Sequence, residues 1–259
     1  MTATPTILHE DNHLLVVVKP AGLLAQGDRT GDPTLLDWAR SYLREKYAKP
    51  GNVFLGLVHR LDRPVSGVMV LARTSKAASR LSEQFRRGTV RKTYLALVTG
   101  EPPAPAGELA HLLAARADAQ GRTAVLGEGT AAPAAADRGA RPARLRYRTL
   151  WREPGRALLA VAPLTGRRHQ IRVQLAAAGC PIAGDVKYGA PARLPGRVIG
   201  LHAWRLALRH PVGEQEPLRF AALPPAAPPW DRLPPGALAA ALVEAGAAPL
   251  AEPDGGSDL

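Results

Sequence analysis

Asp62 is the residue whose setting could do chemistry. It lies in Val58–Ala72, VHRLDRPVSGVMVLA, after one apolar run and before another. Arg60 and Arg63 flank it. Neighbouring cations favour the ionised form of a carboxylate. An ionised, immobilised aspartate can act as a nucleophile or stabilise positive charge. Pro64 biases Arg63 toward an extended backbone, and Gly67 permits a tight entry into the next strand. The same spacing also suits an aspartate in an ordinary turn beside surface arginines. A second segment, Leu164–Leu175 (LTGRRHQIRVQL), places Arg168 and Arg172 four apart on a helical pattern. Such an arginine can reach a carboxylate on a neighbouring element and bind it bidentately. His169 in this run suits a hydrogen-bonded structural histidine.

These segments need elements to hold them. His13–Val18 reads as a buried strand. Asp32-Pro33 reads as a helix start, followed by an amphipathic helix through Leu35, Leu36, Trp38, Ala39 and Leu43. Val53–Val58 and Val68–Ala72 read as strands on either side of the Asp62 segment. Ser75 reads as the cap of a second helix that Gly88 closes. Lys92–Val98 alternates as a strand with Lys92, Tyr94, Ala96 and Val98 on one face. Glu101–Gly107 reads as a loop, and Gly127–Pro142 as a mobile surface excursion. Ala143–Leu150 is expected as a strand whose wet face carries Arg144, Arg146 and Arg148, with Ala157–Val161 as its hairpin partner. Gln170–Ala178 reads as a short helix burying Ile171, Leu175 and Ala178, and Leu201–Leu208 as a last strand. The order of elements shows no strict βαβ rhythm. It predicts an α+β fold with a mixed, largely antiparallel sheet and flanking helices. Residues 1–220 are expected to form the main domain and 221–259 a Pro/Ala-rich, partly disordered tail.

Composition narrows the chemistry. The chain has 259 residues, long enough for a large core without disulfides. Its one cysteine, Cys180, excludes an internal disulfide and a cysteine-based zinc site. The N-terminal sequence lacks the pattern of a signal peptide, and no apolar run has the length of a membrane span. A cytoplasmic protein is expected. Lys and Arg total 34 against 22 Asp and Glu, a net charge of +12. That balance favours a polyanionic partner, chiefly nucleic acid, although only six of the basic residues are lysine and an Arg-rich genome would give the same excess.

The two segments resemble signatures of the RluA family of RNA pseudouridine synthases. HRLDRPVSG resembles H-R-L-D-R-x-T-S-G, with Val65 in place of the usual threonine, and TGRRHQIRVQL resembles the G-R-x-H-Q-[IL]-R block. KTYLALVTG (Lys92–Gly100), GCPIAGDVKYG (Gly179–Gly189), Leu201-His202-Ala203 and the opening ILHEDNHLLVVVKPAGLL match further blocks in family order. Together they span about Ile7 to Phe220. Several such motifs in sequence are far more specific than any one of them.

The resemblance implies a pseudouridine synthase fold without an S4-type RNA-binding domain. It implies an isomerase that converts a specific uridine of ribosomal or transfer RNA to pseudouridine, with no cofactor and no metal. It implies that Asp62 is the catalytic carboxylate, that Arg172 pairs with it and that Tyr94 stacks on the target base. Arg60 is then a candidate to fill the gap left by a flipped nucleotide, and Leu201 to line the pocket. Arg63, Arg167, Arg144, Arg146 and Arg148 are candidate RNA contacts. Without the family pattern, Tyr94 and Leu201 suit core positions, and the arginines suit solvated surface charges. A monomer is expected. Asp185, the one other carboxylate in the motif blocks, reads as structural.

Overall fold

A computed structural model of the protein describes residues 4–48, 50–116, 118–129, 139–234, 236–239 and 243. The chain divides into two compact units, one of residues 1–92 and 202–224, the other of 93–201 and 225–259.

The first unit is a mixed sheet covered by helices. Strand β1 (Thr6–Glu10) forms a hairpin with β2 (Leu14–Lys19), and Asp11 closes its turn by accepting the backbone N–H groups of His13 and Leu14. Strand β2 runs antiparallel to β4 (Ser66–Ala72), a strand buried along its whole length. The opposite edge of β4 is shared. Strand β3 (Gly56–Leu57) pairs with Leu71 and Ala72, while β10 (Leu201–Arg209) runs parallel to it at Ser66 and Gly67. Strand β11 (Pro217–Ala221) lines the outside of β10.

Helix α1 (Leu35–Lys46) starts two residues later than the Asp32-Pro33 signal predicts. Its N-cap is Thr34, which exchanges hydrogen bonds with Asp37 in a capping box. Two reciprocal bonds satisfy more of the helix's orphan donors than a lone aspartate cap does. Helix α2 (Ser75–Arg87) is likewise capped one residue before the predicted serine, by Thr74, and ends at Gly88 in the left-handed conformation. Ala77 and Leu81 of α2 pack with Leu14, Val16, Val68, Val70, Leu206 and Leu208 as this unit's core.

The second unit is an antiparallel sheet in the order β5-β9-β8-β6-β7. Its strands are β5 (Arg91–Thr99), β6 (Ala106–Ala114), β7 (Val125–Glu128), β8 (Ala140–Glu153) and β9 (Arg156–Pro163). The excursion expected over Gly127–Pro142 is in part sheet. Gly127 and Glu128 close β7 and Ala140–Pro142 open β8, while residues 130–138 lie outside the described ones. Helix α3 (Gln170–Ala177) is withdrawn from water on every side of its first turns, so that Gln170 through Leu175 are all buried. The stripe of Ile171, Leu175 and Ala178 predicted for it is therefore too narrow. Arg172 sits inside, 6% exposed. Within the stretch expected as a tail, Trp230 and Leu233 are buried.

Candidate functional site

In the first unit, Asp62 is half-buried at the head of a reverse turn. The Val65 N–H donates to the Asp62 carbonyl at 3.0 Å, with Arg63 and Pro64 at the corners. The segment thus closes as a turn. Leu61 and Val65 are buried on either side and anchor it, while Arg60 and Arg63 project into solvent.

Three contacts fix that turn. The first is Lys19, the last residue of β2, which is fully buried. Its Nζ donates to the carbonyls of Pro20 at 2.9 Å, Leu23 at 2.8 Å and Arg63 at 3.4 Å. An ammonium has three protons, and here each has a carbonyl. The Arg63 carbonyl also accepts the Gly22 N–H at 2.8 Å, and Arg63 Nε donates back to the Gly22 carbonyl at 3.0 Å. Arg63 further pairs with Asp32 at 2.7 Å. The Lys19–Gly22 corner and the Asp62 turn are therefore clasped together. Burial pushes the Lys19 ammonium down to about 7, the Asp62 charge opposing and Arg63 adding to the shift.

The second contact is His59, whose Nε2 accepts the Val70 N–H at 3.0 Å and whose ring stacks on Phe85 at 4.7 Å. It occupies the stretch of the β4 edge between the β3 and β10 pairings. An accepting Nε2 requires the neutral ring with its proton on Nδ1. Desolvation and the Lys92 charge hold the ring near a pKa of 3, consistent with that form.

The third lies at the far end of the turn, where β4 and β10 touch. A Cβ on Gly67, whose φ is +125°, would overlap the Ala203 backbone. Beside it Ser66 and His202, both buried, share a hydrogen bond of 2.8 Å between Oγ and Nδ1. His202 Nε2 donates to the Ala222 carbonyl at 2.9 Å. Burial lowers the His202 pKa to about 4, so the neutral ring accepts from the serine hydroxyl.

The second unit holds Tyr94, Arg172, Leu201 and Arg167. Tyr94 is half-buried on β5 opposite Val161 of β9. Leu201 is 4% exposed. Arg172 binds Asp185 side-on, with Nε to Oδ2 at 2.7 Å and Nη2 to Oδ1 at 2.8 Å. The pair is buried, and the Tyr188 ring lies 5.0 Å from the guanidinium carbon. Tyr188 is fixed in turn, its hydroxyl accepting from the Thr123 N–H at 2.8 Å and lying 2.7 Å from His169 Nδ1. Asp185, which the sequence reads as structural, is thus a partner of Arg172. The G-D-x-x-Y-G block is one device, with its aspartate and tyrosine both applied to Arg172.

The predicted basic face of β8 exists, since Arg144, Arg146 and Arg148 alternate with buried Ala143, Leu145 and Tyr147. Glu108 of β6 binds Arg144 at 2.5 Å and Arg146 at 3.2 Å, however, and offsets part of the charge. Arg167 is exposed, its Nε on the Pro142 carbonyl at 3.0 Å. Among the described residues no helix is long and apolar enough to cross a membrane.

The family model for RNA pseudouridylate synthases matches residues 13–177, a span that contains Asp62, Tyr94 and Arg172. The chain belongs to that family, in its RluA branch. It is 36% identical to a dual-specificity RNA pseudouridine synthase RluA of Pasteurella multocida, over 84% of this chain and 92% of the relative. It is also 36% identical to a ribosomal large subunit pseudouridine synthase D of Nitrosomonas europaea, over 79% of this chain but 58% of that relative's length. Among solved structures, human RNA pseudouridylate synthase domain containing 4 superposes with a TM-score of 0.68 at 28% identity, covering 85% of this chain and 88% of that one. The mixed, largely antiparallel α+β architecture is thus the family's own.

Proposed function

We propose that this RluA-family chain isomerises a uridine of ribosomal or transfer RNA to pseudouridine, with the Asp62 carboxylate as the reacting group. The observation that carries the reading is the family match over residues 13–177 around an aspartate whose turn is clasped by the Lys19–Gly22 corner. Relatives named for the ribosomal large subunit and one named as dual-specificity support RNA as the substrate class.

The reaction breaks the N-glycosidic bond, turns the uracil and joins its C5 to the sugar. The isomerisation keeps every atom of the nucleotide and changes no net oxidation state. Asp62 attacks at the sugar or at the base, and a carboxylate suits the developing positive charge at the anomeric carbon, as in glycoside hydrolysis. The uracil stays bound, so a single carboxylate suffices.

In this reading Arg172 orients Asp62, Tyr94 stacks on the uracil and Leu201 lines the apolar side of the pocket. Extruding a paired base costs about a few kcal/mol. Arg60, exposed beside the Asp62 turn, fills the vacated position, and Arg63 and Arg167 contact the RNA backbone. The protein acts as a monomer in the cytoplasm.

The test is pseudouridine mapping of total RNA from cells with and without the gene, followed by incubation of the deficient RNA with purified protein. A site that vanishes with the gene and returns on incubation supports the reading. RNA that binds the protein yet gains no pseudouridine would leave a non-catalytic RNA-binding protein instead.

A further inference from the structure

The second unit contains a pair of cations that nothing in the preceding account uses. Gly121 closes a turn, its N–H donating to the Asp118 carbonyl at 2.8 Å and its φ at +72°. Lys187 Nζ lies 3.3 Å, and Arg168 Nη2 3.8 Å, from the point that a Gly121 Cβ would occupy. The two cationic groups are therefore within about 7 Å of each other, from different segments, over a glycine. Among the described residues neither side chain has a hydrogen bond or an ion pair. The two carboxylates whose fields reach Lys187 are already engaged, Asp118 by Arg122 at 2.8 Å and Asp185 by Arg172.

The arrangement is held in place. Thr123 Oγ1 donates to the Arg168 carbonyl at 3.2 Å, and the Thr123 N–H donates to the Tyr188 hydroxyl, next to Lys187. One loop thus ties together both segments that present the cations. Like charges brought this close repel each other unless an anion joins them. Desolvation, then the charges of Arg172 and Arg168, lower the Lys187 pKa from its ordinary value.

We propose that Arg168 and Lys187, set over the Gly121 turn, form a subsite for one backbone phosphodiester of the substrate RNA. Charge-assisted N–H···O bonds of about 2.8 Å from each cation to separate phosphate oxygens span such a gap. The absent Cβ of Gly121 leaves both side chains room to close on the anion. The subsite rests on the reading of RNA as substrate, and places one phosphate of the strand beside the Arg172–Asp185 pair.

The experiment measures binding of a synthetic uridine-containing RNA hairpin against salt, in an Asp62→Asn background so that turnover does not interfere. Each phosphate contact adds a slope of about 0.7–0.9 to the fall of log affinity with log salt. Between about 50 and 200 mM salt the parent should therefore lose about threefold more affinity than Arg168→Ala/Lys187→Ala. The charge-keeping variant Arg168→Lys/Lys187→Arg should restore the slope, which separates loss of charge from loss of fold. Arg193→Ala/Arg197→Ala, an equal change of charge at exposed positions, should keep the parent slope. An unchanged slope in the alanine pair, or an equal change in the control, overturns the proposal. Phosphate competition at the pair without any effect of the substitutions on RNA marks a free-anion site, and also overturns it. If wild type forms no pseudouridine but the slopes separate as stated, the subsite stands and the enzymatic reading falls.

Discussion

Arg172 and Asp185 form a side-on, two-bond ion pair, 2.7 and 2.8 Å long, in which both side chains are buried. The Nε–Nη2 edge of the guanidinium faces the aspartate. Asp185 thereby sets the position and rotation of the residue proposed to serve the catalytic carboxylate. Removing one partner of a buried pair leaves the other charge without compensation. Asp185→Ala should therefore cost about 3–5 kcal/mol in urea unfolding. Asp185→Asn, which retains the shape, should unfold closer to wild type yet lose pseudouridine formation at least about tenfold, mainly in kcat. An Asp185→Asn protein with full activity would show that Arg172 needs no such anchor.

Lys19 makes stability depend on pH. Its pKa is about 7 in the folded protein against an ordinary 10.5, so between those values the unfolded chain binds more protons than the folded one. Stability then rises with pH across that window, by at most about 1.4 kcal/mol per unit. The gain is complete above the unfolded value and absent below about 7. Lys19→Met should abolish this slope. Chemical denaturation of both proteins at pH 7, 8 and 9 checks it, and parallel pH profiles would contradict it.

Gly67 has no room for a methyl group and a backbone that disfavours one. Gly67→Ala should destabilise the first unit by at least about 2 kcal/mol, from overpacking against Ala203 together with the positive φ. Retained stability in urea would mean that β4 and β10 can separate without cost.

His59 accepts a backbone N–H that no strand takes. His59→Phe keeps an aromatic ring for Phe85 but leaves the Val70 N–H without its acceptor, at a cost of about 1–3 kcal/mol. Thermal melts should show the loss, and His59→Gln should recover part of it. A His59→Phe protein as stable as wild type would argue that the contact carries no energy.

The parts that sequence made legible follow one pattern. Strands β2 and β4 are apolar runs with a single strong signature, and α1 and α2 have amphipathic spacing, so local residues decide them. Asp62 stands out because it sits between arginines at the join of two such runs. Strands β6 and β7 have few β-branched residues and lie in Ala/Gly-rich sequence, so only pairing, of β6 with β8 and of β7 with β6, makes them strands. Helix α3 shows no one-sided stripe because it is buried all round, and Arg172 is inside because Asp185, thirteen residues away, compensates its charge. The Lys19 clasp was hidden for a similar reason. A lysine ending an apolar strand looks like a surface residue until the carbonyls of Pro20, Leu23 and Arg63 are seen to surround it.

The central claim is that the Asp62 carboxylate performs the isomerisation. RNA from cells lacking the gene, incubated with equal amounts of wild-type and Asp62→Asn protein, tests it most directly when pseudouridine is mapped and both proteins are shown to bind that RNA with comparable affinity. The expected result is a new pseudouridine with wild type and none above background with Asp62→Asn. Equal pseudouridine with the two proteins would contradict it.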